Sequence, residues 1–321
     1  MRQGGRAWVR DVAMCGSVWA CPVCGGRILA ARRGDILKGL EAAHARGWTS
    51  LLLTLTFYHR PEERLADVLG DLVAVWAKVK AGGWWAKLRK RAGIVGDIQA
   101  LEVTWGVNGW HPHRHIALVF DHKVNEVERK ALQAELCERF RSVAKCAGRW
   151  ASRDWGIVLS RGAASYVAKM GHEASYVAKM GHEVAGSVKA GLSPFRLAEA
   201  AAGGDRLALA RWAEYLAAVK GRRRVVWSRG LRDVLGLEDE VSAEAAAALE
   251  QEGETAELVA VLTHDQWREV YTRFVVGDLV AKAAEGSAAV WGFLESLGLH
   301  RTIENWRLEQ RLAAFGMGVD V

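Results

Sequence analysis

The stretch "GWHPHRH" sets three imidazoles at alternate positions, His111, His113 and His115. In an extended strand alternate side chains share a face, so the histidines look one way while Pro112, Arg114 and Ile116 look the other. Asn108-Gly109 is a hairpin turn signal, and "IVGDIQALEVTW" before it reads as the partner strand. Two registers are open. If the strands close on Trp105 and Trp110, Glu102 stands opposite His113; if they close on Val107 and Trp110, it stands opposite His115. Both put Glu102 on the histidine face, and a slip of one residue would set it against Arg114 and dissolve the cluster. A carboxylate and two imidazoles with open positions form a three-ligand site for a divalent cation. The same donors suit a zinc hydrolase, so the cluster specifies a metal more than a reaction.

A second group of candidates lies in "ASYVAKMGHEASYVAKMGHE", residues 164–183, which is one decapeptide written twice. It carries Tyr166 and Tyr176, with Lys169 and Lys179 each three residues further on. On one helix, ten residues fall roughly 80° short of three whole turns and span some 15 Å, so the two tyrosines cannot both reach one point. Cys15, Cys21 and Cys24 form C-x5-C-x2-C with Pro22 inside the close pair, a common half of a structural zinc site. His44, His59, Cys137 or Cys146 could supply a fourth ligand; otherwise the two last cysteines are expected as buried helix residues.

The elements that must position these groups follow from the hydrophobic pattern. Residues up to about 27 look irregular, and a helix runs from there to Gly47. "WTSLLLTLTFYH" is a buried strand, and Pro61 opens a helix through "EERLADVLGDLVAVWAKVKAGG". The histidine hairpin follows, then a helix over "NEVERKALQAELCERFRSVAKCAG" and a short strand at "WGIVLS". Pro194 precedes one alanine-rich helix to about Val219, and an acidic alanine-rich stretch leads into a helical end. The fold class is α+β: an antiparallel sheet flanked by helices, a Cys-rich element over 1–45, a main domain over 46–195, a basic helical extension over 196–237 and a helical region over 238–321.

The chain has 321 residues and a net charge of +7, which suits a polyanionic partner. Lys87, Arg89, Lys90 and Arg91 adjoin Trp84 and Trp85; Arg222, Arg223 and Arg224 precede Trp227 and Arg229. Cations for phosphates beside flat rings for bases is a nucleic-acid-binding recipe. No apolar run is long enough to span a bilayer, and the N-terminus lacks the apolar core of a signal peptide, so a cytoplasmic protein with no membrane partner is expected. In a reducing compartment, clustered cysteines favour a metal over disulfides.

"LLLTLTF", "GWHPHRHIALVF" and "YVAKM" occur in the order and rough spacing of the three motifs of HUH endonucleases, and the chain resembles the rolling-circle plasmid replication initiators (Rep) of actinobacterial type. "CGSVWACPVCGGRI", "LSPFRLAEAA" and "GRRRVVWSRGLR" look like that family too, and the resemblance runs from about Cys15 to Leu237. It implies that His113 and His115 are the paired histidines, departing from the family in having Arg114 between them, with Glu102 as third ligand and His111 as an outer or substitute ligand. It further implies Mn2+ or Mg2+ at this site, and a tyrosine, Tyr166 slightly favoured over Tyr176, attacking a DNA phosphodiester to leave a 5′-phosphotyrosine and a free 3′ hydroxyl, with Lys169 or Lys179 near the phosphate. Gly162 stands where some members carry a terminating glutamate, and Glu173 is a weak substitute. The implied partners are plasmid origin DNA, double- and single-stranded, and the host helicase and replication machinery. A transposase or relaxase of the same superfamily, or a zinc-stabilised DNA-binding protein without catalysis, are the alternatives.

Overall fold

The computed structural model describes residues 2–3, 6–7, 15–161, 163, 192–248, 258–273 and 275–314. Two short strands, β1 (Arg2–Gln3) and β2 (Arg6–Ala7), pair with each other. Helix α1 (Pro22–Ala45) leads to β3 (Thr49–Leu55), α2 (Leu65–Val79), α3 (Gly82–Arg91), β4 (Ile94–Gly106), β5 (Gly109–Phe120), α4 (Glu126–Cys146) and β6 (Ile157–Ser160). Then come α5 (Pro194–Ala202), α6 (Arg206–Val219), β7 (Val225–Trp227) and α7 (Leu231–Leu235). The chain closes with α8 (Ala243–Ala248), α9 (His264–Thr272), α10 (Val276–Glu285), α11 (Ser287–Ser296) and α12 (Ile303–Ala314). No described helix is long and apolar enough to cross a membrane.

The fold is α+β, with an antiparallel five-stranded sheet in the order β6-β3-β5-β4-β7 flanked by helices. The histidine hairpin, β4 and β5, therefore lies at the centre of the sheet. One face, the far face, presents Leu51, Leu53, Leu55, Ile116, Leu118 and Phe120 to α2, α3 and α4, whose Trp76, Trp85 and Phe140 complete the core. The opposite face, the site face, packs Ile98, Ala100, Ala117 and Val119 against Ile36, Leu40 and Ala43 of α1 and Leu231 and Leu235 of α7. Strict alternation along β3 and β5 makes both layers possible from one set of strands.

Several boundaries differ from the sequence expectation, each for a local reason. Helix α1 starts at Pro22, inside the stretch expected to be irregular, because Cys21 caps it by accepting from the Cys24 N–H and proline is suited to the first turn. Helix α2 begins at Leu65 rather than at Pro61, which stays in a turn pressed against Gly109: a Cβ on that glycine would lie 2.8 Å from the Pro61 Cα. The expected single helix through "KAGG" is two, α2 and α3, separated where Gly82 takes φ +75°. The alanine-rich stretch likewise divides at Gly204 (φ +95°), and Asp205 caps α6 by accepting from the Leu207 and Ala208 N–H groups. Residues 225–227, expected within a helical extension, form the edge strand on β4.

Candidate metal centre and its surroundings

The hairpin closes with Trp105 opposite Trp110 and Glu102 opposite His113, the first of the two expected registers. The loop is Val107-Asn108, and Gly109 (φ +83°) pairs with Gly106. Glu102, His113 and His115 then each offer a ligand atom within 4.8 Å of the others. His115 is held at both nitrogens: Nε2 lies 2.9 Å from Glu102 Oε2, and Nδ1 lies 3.1 Å from Thr54 Oγ1 on the neighbouring strand. A hydroxyl or carbonyl on one ring nitrogen sets the tautomer that frees the other for a metal. Burial, opposed by the Glu102 carboxylate, holds the His113 pKa below its ordinary value, so the ring is neutral and able to ligate at physiological pH.

One carboxylate oxygen and two imidazole nitrogens suit a divalent ion of intermediate softness such as Mn2+ more closely than Mg2+, which prefers an all-oxygen shell. His111 is outside this group. Its Nδ1 lies 2.9 Å from His59 Nε2, the rings meeting edge to face, and burial lowers the pKa of both. Arg114 points to the far face, where Nη1 donates to Gln99 Oε1 at 2.6 Å and continues through Asp97 to Lys80, 3.0 Å away. An arginine between the two histidines thus leaves the site face untouched.

Tyr166, Tyr176, Lys169 and Lys179, together with Gly162 and Glu173, lie outside the described residues. Ala163, just before the duplicated segment, and Leu192, nine residues after it, are described. Ala163 is fully buried on the site face with Ala100 and Ala117. Leu192 bridges the outer edge of β4 at Trp105, exchanging hydrogen bonds of 2.6 and 2.9 Å with it, three residues from Glu102.

The second metal-capable group among the described residues is Cys15, Cys21 and Cys24. The expected fourth ligands are elsewhere: His44 bonds Ser50 Oγ at 3.2 Å, His59 pairs with His111, and the Cys137 thiol donates to the Arg153 carbonyl. Cys137 is buried as expected, but Cys146 is exposed. Burial and the neighbouring sulfurs push the Cys21 thiol up to about 12, whereas at Cys24 hydrogen bonds from the Gly16 backbone and the other thiols outweigh burial and lower it. Tyr271, partly exposed, stands beside Cys21, and partial burial followed by the charges of the three nearby sulfurs raises its hydroxyl to about 12.

The basic clusters are placed differently from each other. Trp85 is buried in the far-face core and Trp84 packs against it under Arg139, leaving Lys87 and Lys90 exposed with Arg89, which donates to the Ile94 and Val95 carbonyls, and Arg91, paired with Glu135. Arg222 donates to the Ala218 carbonyl and Arg224 lies over the Trp19 ring at 5.1 Å, while Arg223 and Arg229 are exposed. Trp227 is covered by Gly39 and Arg232. Other aromatics are exposed, among them Tyr58, next to His59, in edge contact with Trp150, and Trp155 just before β6, with Tyr271 and Trp306 in the C-terminal helices. They escaped the sequence reading because no basic run surrounds them; Thr54 escaped it because only the pairing of β3 with β5 brings it to His115.

The chain is 29% identical to a Streptomyces lividans protein named "Protein rep", over 88% of this chain and 77% of that one. It is 30% identical to a "Neomycin resistance protein" of Streptomyces cyanogenus, over 35% of this chain and 31% of that one. No family model matches, and no solved structure does. The similarity of nearly the whole chain to a Rep-named protein supports a Rep-type plasmid protein.

Proposed function

We propose that this protein initiates rolling-circle replication of a plasmid by nicking one strand of its origin, and that Glu102, His113 and His115 hold the divalent ion required. The observation that carries the reading is the convergence of these three ligands on a central hairpin, with both flanks of the tyrosine segment, Ala163 and Leu192, anchored beside it. The ion supplies Lewis-acid polarisation of the scissile phosphate. The tyrosine hydroxyl attacks phosphorus and gives up its proton; the P–O3′ bond breaks, and the 3′ oxygen takes a proton to leave as a hydroxyl. The 5′ phosphate stays on tyrosine, so the bond energy is retained and a later 3′ hydroxyl can reverse the step. Thr54 orients His115, and Lys169 or Lys179 offers a cation for the phosphate. Tyr58, Trp150 and Trp155 offer rings for unpaired bases near the site. Cys15, Cys21 and Cys24 would hold a structural zinc ion, their thiols supplying three of its four ligands.

Incubation with single-stranded DNA from the origin and Mn2+ tests this. A covalent protein–DNA band that disappears in His113→Ala and His115→Ala is expected. Tyr166→Phe should remove it and Tyr176→Phe should not, and deletion of residues 174–183 should preserve it. Duplex binding with no adduct under any metal would instead favour a zinc-stabilised DNA-binding protein without catalysis. Adducts on transposon ends or transfer origins alone would favour the transposase or relaxase reading.

A further inference from the structure

We propose that a zinc ion bound by Cys15, Cys21 and Cys24 acts as a clasp that holds the acidic segment around α8, and with it the C-terminal helices, onto the start of α1. This rests on the zinc reading above and goes beyond it by assigning the ion a task.

The geometry of the sulfurs comes first. Cys15 Sγ and Cys24 Sγ are 3.7 Å apart. Two thiolates on a tetrahedral zinc ion, each about 2.3 Å from it, stand about 3.8 Å from each other, whereas a disulfide would bring them to about 2.05 Å. Cys21 is the N-cap of α1, and its sulfur accepts from the Cys24 N–H at 3.4 Å. Cys15 and Cys24 are thus already spaced as the ion requires, and the Cys21 sulfur lies within 4.8 Å of both.

What surrounds them comes from the other end of the chain. Cys21, Cys24 and Ile28 are buried together with Ala246 and Ala247 of α8. Arg27 Nη1 donates to the Ala247 carbonyl at 3.1 Å, and Arg32 donates to the Val241 carbonyl at 2.7 Å while pairing with Glu240 at 2.6 Å. The Glu244 carboxylate lies 3.4 Å from the point where a Cβ on Gly16 would stand, next to Cys15. From α9, Tyr271 stands beside Cys21.

The energetics explain why an ion is needed there. The buried apolar side chains that α8 brings to this junction are alanines, each worth little by area. The docking therefore depends on polar contacts, those of Arg27 and Arg32 on α1 and the approach of Glu244 to the loop at Cys15 and Gly16, and that loop is a poor template unless something fixes it to α1. The C-terminal helices have a separate core of Val259, Val270, Val276, Leu279, Val290, Trp291 and Leu294, so losing the clasp releases them without unfolding them.

Metal analysis and hydrogen exchange of the full-length protein test the idea. About one zinc per chain is expected. Removing it with a chelator should raise amide exchange in residues 240–248 at least tenfold, with α4 and α11 unchanged. Cys21→Ser/Cys24→Ser should match the chelated wild type, and Tyr271→Phe should keep zinc yet raise exchange partway. Should the double variant fail to fold, the chelated wild type alone decides. Zinc present but no change at 240–248 on chelation would overturn the clasp and leave the zinc reading standing. No zinc, with Cys15 and Cys24 recovered as a disulfide, would overturn both.

Discussion

At the scale of single residues, the site depends on neutral imidazoles. Thr54→Val leaves the fold's shape and removes the partner of His115 Nδ1, so Mn2+ affinity, read by titration, should fall ten- to a hundredfold, the usual effect of an outer-shell partner. Glu102→Gln removes a charged ligand and should lower it further. The histidines also make stability depend on pH. His59, His111 and His113 are all held below their ordinary value in the folded chain, burial being the first cause of each. As pH falls through about 6.5 the unfolded chain takes up protons first. Stability is therefore fully present above that pH and lost below it, as the folded values are approached. The metal-free Tm should be flat above pH 7 and decline below about 6.5, and His59→Gln/His111→Gln should flatten the decline; an unchanged acid limb in that variant would refute the assignment.

At the scale of elements, the hairpin is what makes three distant ligands into a site, and its turn is tightly bounded. Gly109 has φ +83°, and a Cβ there would meet the Pro61 backbone at 2.8 Å. Gly109→Ala should destabilise by more than the 1–2 kcal/mol or so of a left-handed side chain alone, measurable as a lower denaturation midpoint. Phe140→Ala, fully buried on α4 and stacked on Phe57, should cost about 3–5 kcal/mol without changing metal affinity of the surviving folded fraction. Much of the hairpin was legible in the sequence: alternation put the histidines on one face, and the Asn-Gly signal with two tryptophans limited the register to choices that keep Glu102 beside them. Thr54 was not, because "LLLTLTF" tells which threonine faces which side but not which strand lies beside it. The helix breaks at Gly82 and Gly204 were hidden by strong helix-forming neighbours. Tyr271 beside Cys21 could not be read at all, since no local pattern links residues so far apart in the chain.

At the scale of the whole molecule, the positive charge is distributed unevenly in its availability. Arg222 and Arg224 are engaged by the protein itself, and Arg223 is exposed at the lead-in to β7. Replacing all three by alanine should therefore reduce the slope of log K against log salt for DNA by about one phosphate's worth, near 0.9, rather than three. Trp150→Ala/Trp155→Ala should weaken single-stranded binding by about 1–3 kcal/mol per stacked base, with little effect on duplex. The sheet order has a consequence for synthesis. The hairpin that carries the candidate metal ligands is complete once Phe120 has left the ribosome, but the outer edge of β4 at Ile98 to Ala100 stays unpaired until Val225 to Trp227 arrive to cover it. An open strand edge invites other chains to pair with it. A nascent or truncated protein ending before residue 225 should thus aggregate, and the sheet around the candidate metal centre is closed only when most of the polypeptide exists.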